Sequence, residues 1–322
     1  MAEVIHDDVL ERILIGLDVK NLIRCKSVCK SWHFLIKSPG FIDRHLNYSY
    51  NKDRCNSELR HRRIFLVNEF ACTCYDDDHI VGSSNGLVCV SFNSKLLVGN
   101  PSTREVRPLV LPPWIRLSSC CGFGYDSFRD DYKVVVGGPK GENQTCVQVL
   151  SLKSNIWRVI EEVKYVFIRK VGILWNDALY WIVRDSENTK KLIISYDLSK
   201  DEFKEIPQPD DAKYECTSDT YLGIVKECLC IFDMSPGSLF DVWLMKKYNV
   251  KQSWELLPHD GESQYDIVHY LKTPKDYILP EGFLLPDKSY VTKYNLLEVP
   301  VFVQSLVSPH HDKTVNLTSV AV

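Results

Sequence analysis

The sequence lacks long hydrophobic runs and has no excess of charge of one sign. Its longest apolar stretches, CVQVLSL and KLIISY, have the length of a β-strand, far below the roughly 20 residues that a membrane-spanning helix needs. With 39 basic and 42 acidic residues the net charge is −3, which gives no sign of a nucleic-acid partner. The start, MAEVIHDDVLERIL, carries acids where a signal peptide is basic. We therefore expect a cytoplasmic and/or nuclear protein with no membrane partner.

The sequence also lacks the spacing of common metal sites. Its 12 cysteines include no CxxC pair, so the usual structural-zinc pattern is missing. In a reducing compartment these cysteines are expected to be free thiols, mostly buried. HExxH, the P-loop and the dinucleotide-binding signature are absent as well. The acidic run 76–78 with His79 could bind a hard cation, although a solvated loop explains it more simply. We predict no catalytic residue, no metal site and no cofactor.

Charge divides the chain into three parts. Residues 1–43 hold six basic and six acidic groups, and residues 44–63 hold six basic and two acidic groups. The remaining residues, 64–322, have a net charge of −7. The pattern indicates a neutral head, a basic connector and an acidic body.

The head has helical periodicity. A first set of apolar residues recurs at helical spacing, and these residues are Val9, Leu10, Ile13, Leu14 and Leu17. A second set recurs at intervals of 3, 4, 3 and 4 and predicts a further helical stretch, bent or split, formed by Leu22, Cys25, Cys29, Trp32 and Ile36. The Ser38-Pro39-Gly40 sequence is expected to end it. So many apolar residues in some 40 positions exceed what a head of this size can bury, so either a partner or the body must cover them.

The body has the pattern of an all-β domain. Short runs rich in Val, Ile, Leu, Phe and Tyr alternate with Gly, Pro, Asn and Asp every 8–12 residues. Five segments repeat the order strand, polar turn and large apolar residue, and they are 95–109, 147–160, 192–207, 242–258 and 290–300. Their anchors are spaced by 51, 46, 51 and 45 residues, and they are Val106, Trp157, Phe203, Trp254 and Val299. A period near 50 favours a β-propeller over a sandwich. Segments 61–70 and 299–307 are candidates for the strands that close the ring.

Several of these segments resemble a known family. Residues 4–46 resemble a plant F-box in DDVLERIL, in LDVKNLIRCKSVCKSW and in LIKSPGF. The body resembles the F-box-associated domain of the same family in SSNGLVCV (83–90), NPSTRE (100–105), GFGYD (122–126), DYKVV (131–135) and VQSLVSP (303–309). FIDRHLN (41–47) is similar to the pollen S-locus group of F-box proteins.

This resemblance implies a multidomain α + all-β architecture. An F-box at 1–46 would be followed by a basic connector at 47–63, a kelch-like F-box-associated β-propeller of five to six blades at 64–310, and a C-terminal tail at 311–322. It also implies the substrate receptor of an SCF-type ubiquitin ligase, which docks on a Skp-type adaptor and through it on a cullin scaffold. Such a receptor is not itself an enzyme. A propeller scaffold outside a ligase and a propeller enzyme with an unrecognised site are the alternatives.

Matching positions of the head are implied to be core or adaptor-binding residues. They are Ile5, Val9, Leu10, Ile13, Leu14, Leu17, Leu22, Val28, Cys29 and Trp32. Ile5-His6 stands where the family usually has Leu-Pro, and His6 is expected to weaken the adaptor contact because proline preorganises the first helical turn. No motif names the residues that bind the protein substrate. Acidic pairs at 130–131 and 210–211, together with 76–78, suggest a basic substrate if they share one face of the propeller.

Overall fold

A computed structural model provides the structure, and it describes a large part of the chain. The described residues are 7–55, 62–65, 79–92, 95–111, 119–140, 144–187, 190–211, 214, 216, 220–225, 228–233, 241–248, 250, 253–257, 275–278 and 303–310. Within them a helical head precedes a β-rich body, as the sequence predicts. The fifth repeat unit (290–300), its anchor Val299, the run 76–78 and the predicted tail 311–322 lie outside the described residues. None of the described helices is long and apolar enough to cross a membrane.

The head consists of four helices. They are α1 (Asp7–Ile15), α2 (Val19–Cys25), α3 (Lys30–Lys37) and α4 (Pro39–Cys55). The second predicted helical stretch is therefore split, into α2 and α3. Ser38 ends α3, and its hydroxyl donates to the Leu35 carbonyl at 2.8 Å and accepts from the Phe41 N–H at 3.3 Å. The sequence analysis did not predict α4, which starts at the proline because proline is tolerated in the first turn; α4 also continues past residue 46 into the predicted connector.

The body is built from consecutive antiparallel sheets, which we call blades. Blade 1 contains β2 (His79–Ser84), β3 (Leu87–Phe92), β4 (Lys95–Asn100) and β5 (Glu105–Leu109). Blade 2 contains β6 (Cys120–Asp126), β7 (Asp131–Pro139), β8 (Thr145–Ser151) and β9 (Ile156–Val163). Blade 3 contains β10 (Tyr165–Phe167), β11 (Ile173–Trp175), β12 (Ala178–Asp185), β13 (Lys191–Asp197) and β14 (Glu202–Ile206). Blade 4 contains β15 (Thr220–Val225), β16 (Cys228–Asp233), β17 (Val242–Met245) and β18 (Trp254–Leu256).

Neighbouring blades pack face to face, and one strand of each blade lies against a strand of the next. β2 contacts β6, β6 contacts β11, and β11 contacts β15. Each interface between successive blades is filled by one apolar cluster that draws side chains from both sheets. Radial stacking of four-stranded sheets is the arrangement of propeller blades. The structure thus supports the β-rich propeller class, while the number of five to six blades stays a prediction.

The repeat found in the sequence corresponds to a turn of fixed geometry. In blades 1, 2 and 3 the last two strands are joined by residues 101–104, 152–155 and 198–201. The residue that closes each turn has a positive φ, namely 63° at Arg104, 57° at Asn155 and 58° at Asp201. Each of these residues donates its N–H to the carbonyl of the residue four positions earlier, at 2.8–2.9 Å. We call the end of the blades that carries these turns the hairpin end, and the other the opposite end.

Two segments proposed for ring closure have different structures. Arg62–Phe65 forms β1 and pairs in parallel with β19 (Lys275–Ile278). Residues 303–307 form no strand, so the prediction of a strand there is wrong for these residues. They are nevertheless largely buried, with Val303 at 5%, Ser305 at 0% and Leu306 at 5% exposure.

Candidate functional site

The predicted adaptor-binding residues divide into an exposed and a buried group. Val9 and Ile13 are 50% and 54% exposed, and Val28 is 62% exposed. Val9 and Ile13 are one turn apart on α1 and therefore lie on the same side of that helix. Cys29 is exposed too, and hydrogen bonding to the Ser31 hydroxyl lowers the pKa of its thiol. These side chains are accessible to a partner as the structure stands.

The other predicted residues belong to the head's own core. Leu14 and Leu22 are 1% and 0% exposed. Leu10, Leu17 and Trp32 are partly buried and pack against the same cluster. The two fully buried leucines hold the helices together and cannot touch a partner without opening the head. Ile5 lies outside the described residues.

Two exposed apolar residues of the head were not singled out from the sequence. Phe34 on α3 is 71% exposed and Ile23 on α2 is 38% exposed. Both fall outside the apolar stripe of their helix, which is formed by Leu22, Trp32 and Ile36. A large apolar residue on the polar side of an amphipathic helix was the available signal, because such helices normally place charged or polar residues there. With Val9, Ile13 and Val28, these residues form what we call the exposed apolar set of the head.

The family-like motifs of the body meet in a buried ionic cluster between blades 2 and 3. The Lys133 ammonium lies 3.1 Å from Asp126 Oδ2 and 2.7 Å from Asp201 Oδ1. Lys133 is 1% exposed, the Asp126 side chain is 0% exposed and that of Asp201 is 13% exposed. Burial alone would raise the pKa of both carboxyls. Hydrogen bonds from Arg129 and Lys133 outweigh it at Asp126 and hold the pKa of that carboxyl below its ordinary value. Hydrogen bonds from Lys133, Tyr196 and Arg158 do the same for the pKa of Asp201. The GFGYD and DYKVV segments are therefore explained by blade packing.

Two tryptophan anchors of the repeat also join successive blades. Trp157 Nε1 of blade 2 donates to the Val110 carbonyl at 2.8 Å, just beyond the last strand of blade 1. Trp254 Nε1 of blade 4 donates to the Pro207 carbonyl at 2.7 Å, just beyond the last strand of blade 3. These two anchors thus tie blade 2 to blade 1 and blade 4 to blade 3.

The acidic pairs do not share one end of the propeller. Asp130 lies in the turn between β6 and β7, at the hairpin end, and Asp131 is the first residue of β7. Asp131 is 7% exposed and accepts the Lys153 N–H at 2.9 Å, so its role is structural. Asp210 and Asp211 follow β14 and lie at the opposite end. The premise for a basic substrate is not met by these two pairs, and the charge of the substrate stays a prediction.

Metal binding and nucleophilic catalysis each require a particular arrangement of side chains. In the described part of the chain, no group of three or more His, Cys, Asp or Glu side chains could hold a metal ion. A Gly-x-Ser-x-Gly sequence occurs at 82–86, but it runs from β2 into the turn before β3, whereas a nucleophile elbow connects a strand to a helix. Nine cysteines of the described residues are free thiols, which confirms that prediction for them. Burial is confirmed for Cys89, Cys120, Cys121 and Cys230, whereas Cys29 is exposed and the other four, Cys25, Cys146, Cys216 and Cys228, are partly buried.

Family models match both parts of the chain. The F-box domain model matches residues 5–44, which include helices α1–α3 and the start of α4. The model described as F-box associated beta propeller domain matches residues 33–271, which include blades 1–4. Nearly three quarters of the chain is covered by this second model alone.

Curated relatives match over both parts as well. F-box protein CPR1 of Arabidopsis thaliana is 32% identical over 292 residues, with 77% of this chain and 70% of that protein covered. F-box/kelch-repeat protein At3g23880 of the same plant is 29% identical over 284 residues, with 78% of each chain covered. F-box protein At3g07870, also of Arabidopsis thaliana, is 28% identical over 302 residues, with 78% of this chain and 71% of that protein covered. Given these matches and the order of head and blades, the chain belongs to the family of F-box proteins that carry an F-box associated beta propeller domain.

Proposed function

We propose that this protein is the substrate receptor of an SCF-type ubiquitin ligase. Its F-box head docks on a Skp-type adaptor and thereby on a cullin scaffold, while the propeller captures a protein substrate. The receptor contributes binding and positioning, and other subunits carry out the transfer chemistry. We expect this role to be carried out in the cytoplasm and/or the nucleus.

The observation that carries the proposal is the exposed apolar set of the head. Five large apolar side chains of a helical unit of about 50 residues are 38–71% exposed. Burying one such side chain fully contributes about 1.5–3 kcal/mol, so a partner that covers several of them gains enough to offset the cost of association. The head thus has the apolar surface that a protein partner needs, and its sequence matches the F-box model.

The test measures binding of a purified Skp-type adaptor to the full-length protein. Ile13→Asp and Phe34→Asp each place a charge in the exposed apolar set without touching the head's buried core. We expect each to weaken adaptor binding at least tenfold in isothermal titration calorimetry, because the contact would bury an unpaired carboxylate. Val159→Asp is the matched control, since Val159 is 62% exposed but lies on blade 2.

The outcomes separate the proposal from its alternatives. If the unaltered protein does not bind the adaptor, the ligase role is wrong and a propeller scaffold acting alone becomes the better explanation. If Ile13→Asp and Phe34→Asp bind as well as Val159→Asp, the adaptor contact lies elsewhere than on the exposed apolar set.

The pollen S-locus subgroup remains a finer proposal, supported by the likeness of residues 41–47. In the structure this segment lies in α4, and Phe41, His45 and Leu46 are 0%, 2% and 9% exposed. Three of its seven positions therefore serve the packing of the head. Substrates isolated with the full-length protein during proteasome inhibition would test the subgroup; basic secreted ribonucleases among them would support it, and their absence from the enriched proteins would count against it.

A further inference from the structure

The C-terminal segment Val303–Pro309 touches both the head and the propeller. Leu306 is buried in the head's apolar cluster, together with Leu14, Leu22, Ile36 and Phe41. The next residue, Val307, packs against the cluster shared by blades 1 and 2. Consecutive residues of one segment are thus part of the cores of two different units, although more than 250 positions separate Leu306 from the helices of the head.

Blade 1 holds the segment through buried hydrogen bonds. The side-chain amide of Asn100 donates to the Ser305 carbonyl at 2.9 Å and to the Val307 carbonyl at 2.7 Å, and Ser305 Oγ lies 3.2 Å from the same nitrogen. Asn100 and Ser305 are both 0% exposed. Further along, Arg107 Nη1 donates to the Pro309 carbonyl at 3.2 Å. The NPSTRE and VQSLVSP motifs, far apart in sequence, therefore form one buried contact.

Gly86 shows how closely the segment fits on blade 1. Its φ of 79° is a conformation that residues with a side chain rarely adopt. A Cβ at this position would lie 2.3 Å from Ser305 Oγ and 2.6 Å from the Val303 carbonyl oxygen. The adjacent Asn85 accepts a hydrogen bond from Tyr50 Oη of α4 at 3.1 Å. The turn at 85–86 therefore contacts the head directly through Tyr50 and supports the C-terminal segment at the same time.

We propose that residues 303–309 act as a strut that fixes the orientation of the F-box head on the propeller. The functional consequence of this inference rests on the proposed function, because a ligase receptor must hold its substrate at a defined position relative to the docked adaptor. The strut is a positioning element, since the contacts described above join it to the head's buried core and to blade 1. Removing its contacts should make the position of the head relative to the propeller more variable, while each unit keeps its own binding surface.

Two single substitutions in the full-length protein each remove one contact of the strut, one on the head side and one on the side of blade 1. Leu306→Ala removes its contact with the head, and Asn100→Ala removes its anchor on blade 1. The control is Leu109→Ala, which truncates a leucine that is 6% exposed in the core of blades 1 and 2 but lies outside the strut. Spin labels on genetically encoded amino acids at the exposed positions Lys20 of α2 and Lys200 of blade 3 report the distance between head and propeller.

We expect a single narrow distance distribution in the unaltered protein and in Leu109→Ala, and a distribution at least twice as wide in Leu306→Ala and Asn100→Ala. Equal widths in all four proteins would overturn the proposal. If one of the two strut variants fails to fold, the other still tests the proposal, because it removes a contact on the other side of the segment. Adaptor binding is measured in parallel: an unaltered protein that does not bind contradicts the ligase role, while the distance measurement still tests the strut.

Discussion

The head and the propeller differ in what they bury. Five large apolar side chains of the head are 38–71% exposed, and the propeller also exposes apolar side chains such as Val159, but in addition it buries charged groups such as Lys133 and Asp126. A small helical unit has too little volume to cover its own apolar surface. Stacked sheets enclose a larger interior, and paired charges can be buried there if every one of them is hydrogen-bonded. Buried charge in the body is therefore a property of its architecture, whereas the exposed apolar set of the head is the surface that we propose for binding.

The largest effect is expected where the propeller buries its charge. Lys133→Met should lower the free energy of unfolding by about 3–5 kcal/mol, because it leaves the carboxylates of Asp126 and Asp201 without their shared cation. Lys153→Met is the control, since Lys153 pairs with Asp130 at 3.4 Å on the surface and should cost less than about 1 kcal/mol. Urea denaturation followed by tryptophan fluorescence measures both. Equal losses would show that the cluster between blades 2 and 3 is not a stabilising junction.

A pair of neighbouring residues separates stability from binding in the head. Leu22 is 0% exposed, and Leu22→Ala should destabilise the head by about 2–5 kcal/mol because it opens a cavity in the core. Ile23 is 38% exposed, and Ile23→Ala should change stability by less than about 0.5 kcal/mol while it weakens adaptor binding. Hydrogen exchange of the helices gives the stability and calorimetry gives the affinity. The comparison of head and propeller fails if Ile23→Ala destabilises the head as much as Leu22→Ala does.

The start of α2 provides a smaller effect that is confined to the head. The Asp18 carboxylate caps this helix by accepting the Asn21 N–H at 2.8 Å. Asp18→Ala should cost about 1 kcal/mol, whereas Asp18→Asn keeps an acceptor and should cost much less. Hydrogen exchange of the α2 amides distinguishes the two variants. Faster exchange in the blades as well would mean that head and propeller unfold as a single unit.

The smallest effect is a pH dependence of the head. His45 is 2% exposed, its Nε2 donates to the Leu17 carbonyl at 2.9 Å, and burial lowers the pKa of the imidazole. The unfolded chain therefore binds a proton more readily than the folded head, so stability is complete above the ordinary pKa of 6.5 and falls as the pH drops below it. His45→Gln should keep the hydrogen bond and flatten this dependence. Exchange of the α4 amides at pH 5 and pH 7 measures it, and an unchanged slope would show that His45 is not the titrating group.

Sequence patterns predicted much of the local structure. Helical spacing located the head, and the Ser38-Pro39 boundary ended α3 where the structure ends it. The repeat period found the turns at 101–104, 152–155 and 198–201, because a turn that needs a positive φ restricts both its length and its residues. Helix α4 was not predicted, because its many polar residues, such as Asn47 and Asn51, obscure its apolar stripe.

The exposed apolar set shows why a site is harder to predict than a helix. Leu22 and Val28 were both predicted to be core or adaptor-binding residues, yet Leu22 is buried and Val28 is 62% exposed. Periodicity indicates which residues share a side of a helix, but it does not reveal which side a neighbouring helix covers. Phe34 is 71% exposed and lies outside the apolar stripe of α3, and that departure from the stripe was the signal in the sequence that was overlooked.

The sequence by itself determined the order of a helical head and a repeating β body, the positions of the turns, and the family to which the chain is similar. These are local properties, set by the periodicity of apolar residues and by backbone requirements within a few positions. The tertiary structure alone decided that Asn100 binds Ser305 and Val307, that Leu306 enters the head, and that Lys133 joins two blades. Contacts across 68 to more than 200 positions depend on how sheets and helices stack, and no spacing within one segment encodes them.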